Sequence, residues 1–148
     1  LAGFAAVKPG VLFSDINKAC QAVLARGLAD MGVLTVSAEE SLKPEVGLHR
    51  RWTLHGVSHH LGLDVHDCAQ ARKEMYLDAP LREGMVLTVE PGLYIQPDDE
   101  LFAPEYRGIG IRIEDDVMVT ADGCRNLSVD IPRHPDDIEK WMKRILGR

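Results

Sequence analysis

The sequence predicts an α+β fold, a largely antiparallel sheet with flanking helices. Three observations predict it. Ile16, Cys20, Val23, Leu24, Leu28 and Met31 recur at helical spacing. Met85–Glu90 is a β-rich run, and Ile109–Glu114 alternates strictly between isoleucine and other residues. The connections between these later segments are short and hairpin-like. With 148 residues, 45% apolar and 27% charged, the chain suits one domain with one core and argues against disorder.

Each element follows in order. Pro9-Gly10 marks a turn. Ser14 is placed to cap the first helix, Asp15 lies in its first turn, and Gly32 ends it. Residues 33–50 read as a connection with a short helix near Ala38–Leu42. From Trp52 to Asp67 neither period holds, and His55, His59, His60 and His66 sit among glycines and small apolar residues. Arg72–Arg82 is a polar loop, and Glu83-Gly84 is a turn before the β-rich run. Pro91-Gly92 breaks that run, and Leu93–Gln96 resumes an extended reading. Gln96–Glu105 is an acidic loop with two prolines. In Ile109–Glu114 three isoleucines face one way, and Gly110, Arg112 and Glu114 face the other. Val117–Val119 is a further strand, with a turn at Asp122-Gly123. The last helix starts at Pro135, with Asp136 and Asp137 in its first turn and Lys143 and Arg144 in its last. Ile138, Trp141, Met142 and Ile145 form its expected buried face.

Composition excludes several classes. A net charge of −6 without a basic tract leaves nucleic acid out as a main partner. No apolar run approaches the roughly 20 residues of a membrane span. Cys20, Cys68 and Cys124 form no C-x-x-C pair, which speaks against a disulfide scaffold and for a reducing, cytoplasmic setting. The chain begins at Leu1 with its first methionine at Met31, so it is expected to be a piece of a longer protein.

Three features carry chemistry. Glu90 ends an apolar strand, where a carboxylate is costly unless a cation or donor meets it. Glu114 shares a strand face with Arg112, and Asp115 and Asp116 follow it. His55 and His59 are four apart, and His66 follows after seven more. Each has a plainer alternative: an ion pair for Glu90, a wet edge strand for Glu114, and satisfied structural imidazoles for the histidines. Taken together, one imidazole and several carboxylates suit Mn, Fe or Co, or Zn with water, better than a thiolate-loving ion. The H-E-x-x-H zinc helix is not present.

Three stretches resemble the motifs of the pita-bread metallopeptidases. HGVSHHLGLDVHD at 55–67 resembles their histidine motif, GMVLTVEPGLY at 84–94 their first glutamate motif, and GIGIRIEDD at 108–116 their second. Within that family the resemblance is to the bacterial Xaa-Pro aminopeptidase branch, with the proline dipeptidases a near alternative. The resemblance implies a pita-bread (creatinase/aminopeptidase-like) fold. Residues 1–148 would then be the C-terminal part of one catalytic domain, its N-terminal part and any preceding domain absent. It implies that His59, Glu90 and Glu114 are metal ligands, with Glu114 bridging two ions. His55 and His66 would line the substrate site and help with proton traffic, Glu90 would also pass a proton, and Arg112 and Tyr94 would orient the ligands from outside. The implied reaction releases an N-terminal residue from peptides with proline in second position. A non-catalytic domain of the same fold that binds a peptide or protein is the reading from a different class.

The family's site adds two aspartates. None of Asp15, Asp30, Glu39, Glu40 and Glu45, the acidic residues before His55, has the matching surroundings. The expectation is therefore two divalent ions in the parent enzyme, Mn2+ by family, and at most one weakly held ion here. This chain alone is expected to be inactive, and to pair with another copy or with the missing portion.

Overall fold

A computed structural model describes residues 1–147. Its centre is a three-stranded antiparallel sheet of order β1-β4-β5, where β1 is Val86–Val89, β4 is Asp115–Val119 and β5 is Cys124–Asn126. A separate antiparallel ribbon pairs β2 (Gly92–Tyr94) with β3 (Gly110–Arg112). Helices α1 (Ala2–Ala6), α2 (Phe13–Asp30), α3 (Ala38–Ser41) and α4 (Pro135–Leu146) complete the architecture. The antiparallel α+β expectation holds. Among the described residues no helix is long and apolar enough to cross a membrane.

Alternation along β1 and β4 decides which face meets the helices. Leu87, Val89, Val117 and Val119 are buried with Val7, Phe13, Ile16 and Cys20, so this face packs on α2. Burying each such side chain contributes about 1.5–3 kcal/mol. Thr88 and Glu90 point to the opposite face. A second cluster gathers Leu28, Trp52, Ile95 and Phe102. The single expected core is thus two, and α2 serves both. Its buried residues are Phe13, Ile16, Cys20, Gln21, Ala25 and Leu28, while Val23 and Met31 of the predicted stripe are exposed. The buried face turns along the helix because its two halves meet different partners.

The start of α2 also differs from expectation. Its N-cap is Leu12, and Ser14 lies inside the first turn. The amides of Phe13 and Ser14 donate to the carbonyls of Ala79 and Leu77, at 3.0 and 2.9 Å. Backbone from the 77–79 loop thus does what a capping side chain would do. The short helix expected near Ala38–Leu42 forms, with Ser37 Oγ accepting from the Glu40 amide. The sequence reading missed α1 and β5.

One apolar strand face lies open, and one predicted burial is corrected. Ile109, Ile111 and Ile113 are 42%, 58% and 43% exposed. Among the described residues no element covers their face of the ribbon. Helix α4 forms where expected, with its charges as predicted, yet it buries none of its residues. Trp141, Met142 and Ile145 are all exposed. Periodicity marks a face that wants cover; it does not say that the same chain supplies it.

Candidate metal centre

Two strands and an extended segment beside them bring the predicted ligands together. Val89 pairs with Asp115 at the last rung of the β1–β4 ladder. One step further, Glu90 and Glu114 stand opposite each other, just outside the ladder. On the other edge of β1, residues 57–61 run alongside as a short extended segment. The amides of Thr88 and Glu90 donate to the carbonyls of His59 and Val57, at 2.9 and 2.8 Å, and the Leu61 amide donates to Val86. His59 therefore enters beside Glu90 from one side and Glu114 from the other.

One ligand atom each from His59, Glu90 and Glu114 lies within 4.8 Å of the other two. An ion with bonds of about 2.0–2.2 Å can span donors up to about 4.4 Å apart, so closure by a few tenths of an ångström suffices. His59 Nδ1 lies 3.1 Å from the His60 carbonyl. A carbonyl can only accept, so Nδ1–H donates to it and Nε2 is turned toward the carboxylates. Nε2 faces Glu90 Oε1 at 3.3 Å. The donor set, one imidazole and two carboxylates, fits a divalent transition metal.

Thr88 was not singled out from the sequence, yet it is central. It is 1% exposed. Its hydroxyl accepts from the His59 amide at 3.0 Å and donates to Glu90 Oε1 at 3.2 Å. The available signal was alternation, which places Thr88 two residues before Glu90 on the same face. Arg112 reaches both carboxylates, at 3.7 Å from Glu90 and 3.2 Å from Glu114. Two carboxylates against one guanidinium leave the site negative. The ion pairs foreseen as the plain alternative thus exist, alongside the convergence of the three ligand-type side chains on one point.

The remaining candidates surround this group. His55 is fixed at both nitrogens, Nδ1 to the Gly56 carbonyl at 2.8 Å and Nε2 to the Tyr94 hydroxyl at 2.6 Å. Tyr94 is seated by two glycines of the ribbon. A methyl on Gly92 would lie 2.5 Å from its hydroxyl, and one on Gly110 would lie 2.9 Å from its ring. The His66 ring stands edge-on to the His59 ring, centroids 4.5 Å apart. His60 is different: it stacks on Phe13 and meets Tyr76 edge-on. Half-buried against those rings, its imidazole is pushed below the usual histidine range.

A buried carboxylate with its own set of partners lies behind Glu114. Asp115 is 3% exposed. Burial pushes its carboxyl up, but hydrogen bonds from Arg133, Asn126 and Ser128 more than offset this and hold it below the usual carboxylate range. Asp99 follows the same logic. Burial raises it, while Arg51 and Trp52 hold it low, with Trp52 Nε1 donating at 2.6 Å.

Comparison with known proteins places this geometry in context. The model of metallopeptidase family M24 matches residues 1–121. Xaa-Pro aminopeptidase 1 of Streptomyces coelicolor is 57% identical over 146 residues, covering 99% of this chain and 29% of that protein. The Xaa-Pro aminopeptidase of Escherichia coli is 41% identical over 138 residues, covering 91% of this chain and 30% of that protein. Among solved structures, an aminopeptidase of Pseudomonas aeruginosa superposes with a TM-score of 0.88 at 36% identity, covering 99% of this chain and 33% of that one. Aminopeptidase P of Escherichia coli with the inhibitor Pro-Leu gives 0.85 at 37% identity, covering 99% and 32%. The chain therefore spans about a third or less of the relatives it matches.

Proposed function

This chain belongs to metallopeptidase family M24, and from that premise we propose that it supplies part of the metal centre of an Xaa-Pro aminopeptidase. The observation that carries the reading is the convergence of His59, Glu90 and Glu114 on one point. The parent would hold two divalent ions, Mn2+ by family expectation, and this chain at most one, weakly. The substrate would be a peptide with proline in second position. Association with another copy or with the remaining length of the parent belongs to the proposal, and the uncovered isoleucine face of β3 supports it. The compartment proposed is the cytoplasm, since Cys20, Cys68 and Cys124 all carry free thiols.

Bound there, divalent ions would supply a nucleophilic water at neutral pH and polarise the scissile carbonyl. The chain's own residues do the rest. Arg112 neutralises part of the charge on both glutamates. Glu90 accepts the water's proton and returns it to the leaving nitrogen. Both His55 nitrogens are engaged, which makes it a fixed wall for the peptide. His66 is exposed beside His59 and is the freer group for proton transfer. The amide before proline carries no N–H, so recognition of the ring rests on shape and apolar contact.

The test uses the parent-length protein with Mn2+ and peptides of Xaa-Pro-Yaa form. Release of the first residue is expected, and Glu90→Gln is expected to lower kcat by about 100-fold or more. Cleavage elsewhere in the peptide, or full activity in E90Q, overturns the reading.

A further inference from the structure

We propose that Asp115 and Arg133 form a positioning clamp that fixes Glu114 for metal binding from the opposite face of the strand. The inference rests on the metal reading above. Glu114 lies beyond the last ladder rung, so pairing of β1 with β4 does not hold its backbone. On its own face it is held by Arg112, whose side chain is 50% exposed. An exposed ion pair of this kind fixes geometry weakly.

The next residue is held far more firmly. Asp115 shares its face with Val117 and Val119. Arg133 Nη1 sits 2.6 and 2.7 Å from its two oxygens, while Ser128 Oγ donates at 2.7 Å and Asn126 Nδ2 at 3.0 Å. The neighbouring peptide is tied to the same segment: the Asp116 amide donates to Ser128 Oγ at 3.0 Å, and the Leu127 amide to the Asp116 carbonyl at 2.8 Å. Charge-assisted bonds to a buried carboxylate are short and strong. Adjacent Cα atoms stay about 3.8 Å apart, so anchoring Asp115 limits where Glu114 can go. Its neighbour on the other side, Ile113, has only a long amide bond to the Pro91 carbonyl, at 3.3 Å. The clamp is thus the rigid reference against which the Glu114 carboxylate is aimed at His59 and Glu90.

The test titrates Mn2+ into the parent-length protein, following the free ion by electron paramagnetic resonance. The proteins are wild type, Glu114→Gln, Asp115→Asn, Arg133→Ala, Arg133→Lys and Ser128→Ala. Metal-free thermal midpoints confirm that each is folded at the titration temperature. D115N and R133A are expected to raise Kd about tenfold to a hundredfold, with R133K recovering part of the loss. A clamp that only staples the C-terminal segment would lower the midpoint and leave Kd unchanged; wild-type Kd in folded D115N or R133A overturns the proposal. Should those two fail to fold, S128A and R133K keep the charges but lose or weaken hydrogen bonds of the clamp and are expected to raise Kd severalfold; wild-type Kd in both overturns it equally. If Mn2+ does not bind the wild type, or binds E114Q as well, the metal reading itself fails and this inference falls with it.

Discussion

A single hydroxyl ties the imidazole to the carboxylate at the candidate metal centre. Thr88 Oγ1 has one hydrogen, given to Glu90, and a lone pair that receives the His59 amide. Thr88→Val keeps the shape, removes both bonds and strands a backbone donor. The expected cost is about 1–3 kcal/mol in urea unfolding, with Mn2+ affinity about tenfold weaker or more. Thr88→Ser retains the hydroxyl and should restore most of the affinity; a T88V protein with wild-type Mn2+ affinity would refute this coupling. At this scale His59, Glu90 and Glu114 were legible because three long motifs carry them in order. Thr88 was legible only through alternation. The partnership of Asp115 with Arg133 was not, because nothing local relates residues 18 apart.

At the scale of elements, register does the work of assembly. A one-residue slip of β1 against β4 would turn Glu90 and Thr88 toward the helices and the valines toward the site. Helix α1 guards that register from behind. A methyl on Gly3 would lie 2.5 Å from Val89 Cγ1 and 2.9 Å from Cys20 Sγ. Val89 is β-branched and buried, so it has little room to yield. Gly3→Ala is therefore expected to cost about 1–3 kcal/mol, read as a lower urea midpoint at unchanged slope. An unchanged midpoint would show that α1 does not press on β1. Strands β1 and β4 were readable because β-rich residues stand beside turn signals, and helices α2 and α4 because each repeats its period long enough to register. Five residues of α1 and three of β5 do not, and the early start of α2 depends on carbonyls sixty residues away.

For the whole molecule, composition foretold an ordinary globular chain, and the periodic apolar faces were real. Where their cover comes from was invisible, since Ile111 and Trp141 look the same in sequence whether a partner covers them or not. The burial of Asp99 and Asp115, equally invisible, sets the response to acid. Asp99 ties the 96–105 loop to Arg51 and Trp52 in the second cluster, and Asp115 ties the 126–133 segment to β4. Both are held below the usual value of 3.8 in the folded chain. The folded state therefore gives up protons that the unfolded state keeps. Their contribution is fully present above the unfolded value and is lost as pH falls through the lower folded values. The urea midpoint should drop steadily as pH is lowered from about 5 towards 2. Asp99→Asn and Asp115→Asn should each start less stable and show a shallower drop, because the proton-linked group is gone. The measurement is a set of urea transitions across that range. Variants whose midpoints fall as steeply as wild type would place the acid sensitivity elsewhere, and the two anchors would then hold the fold without setting its pH limit.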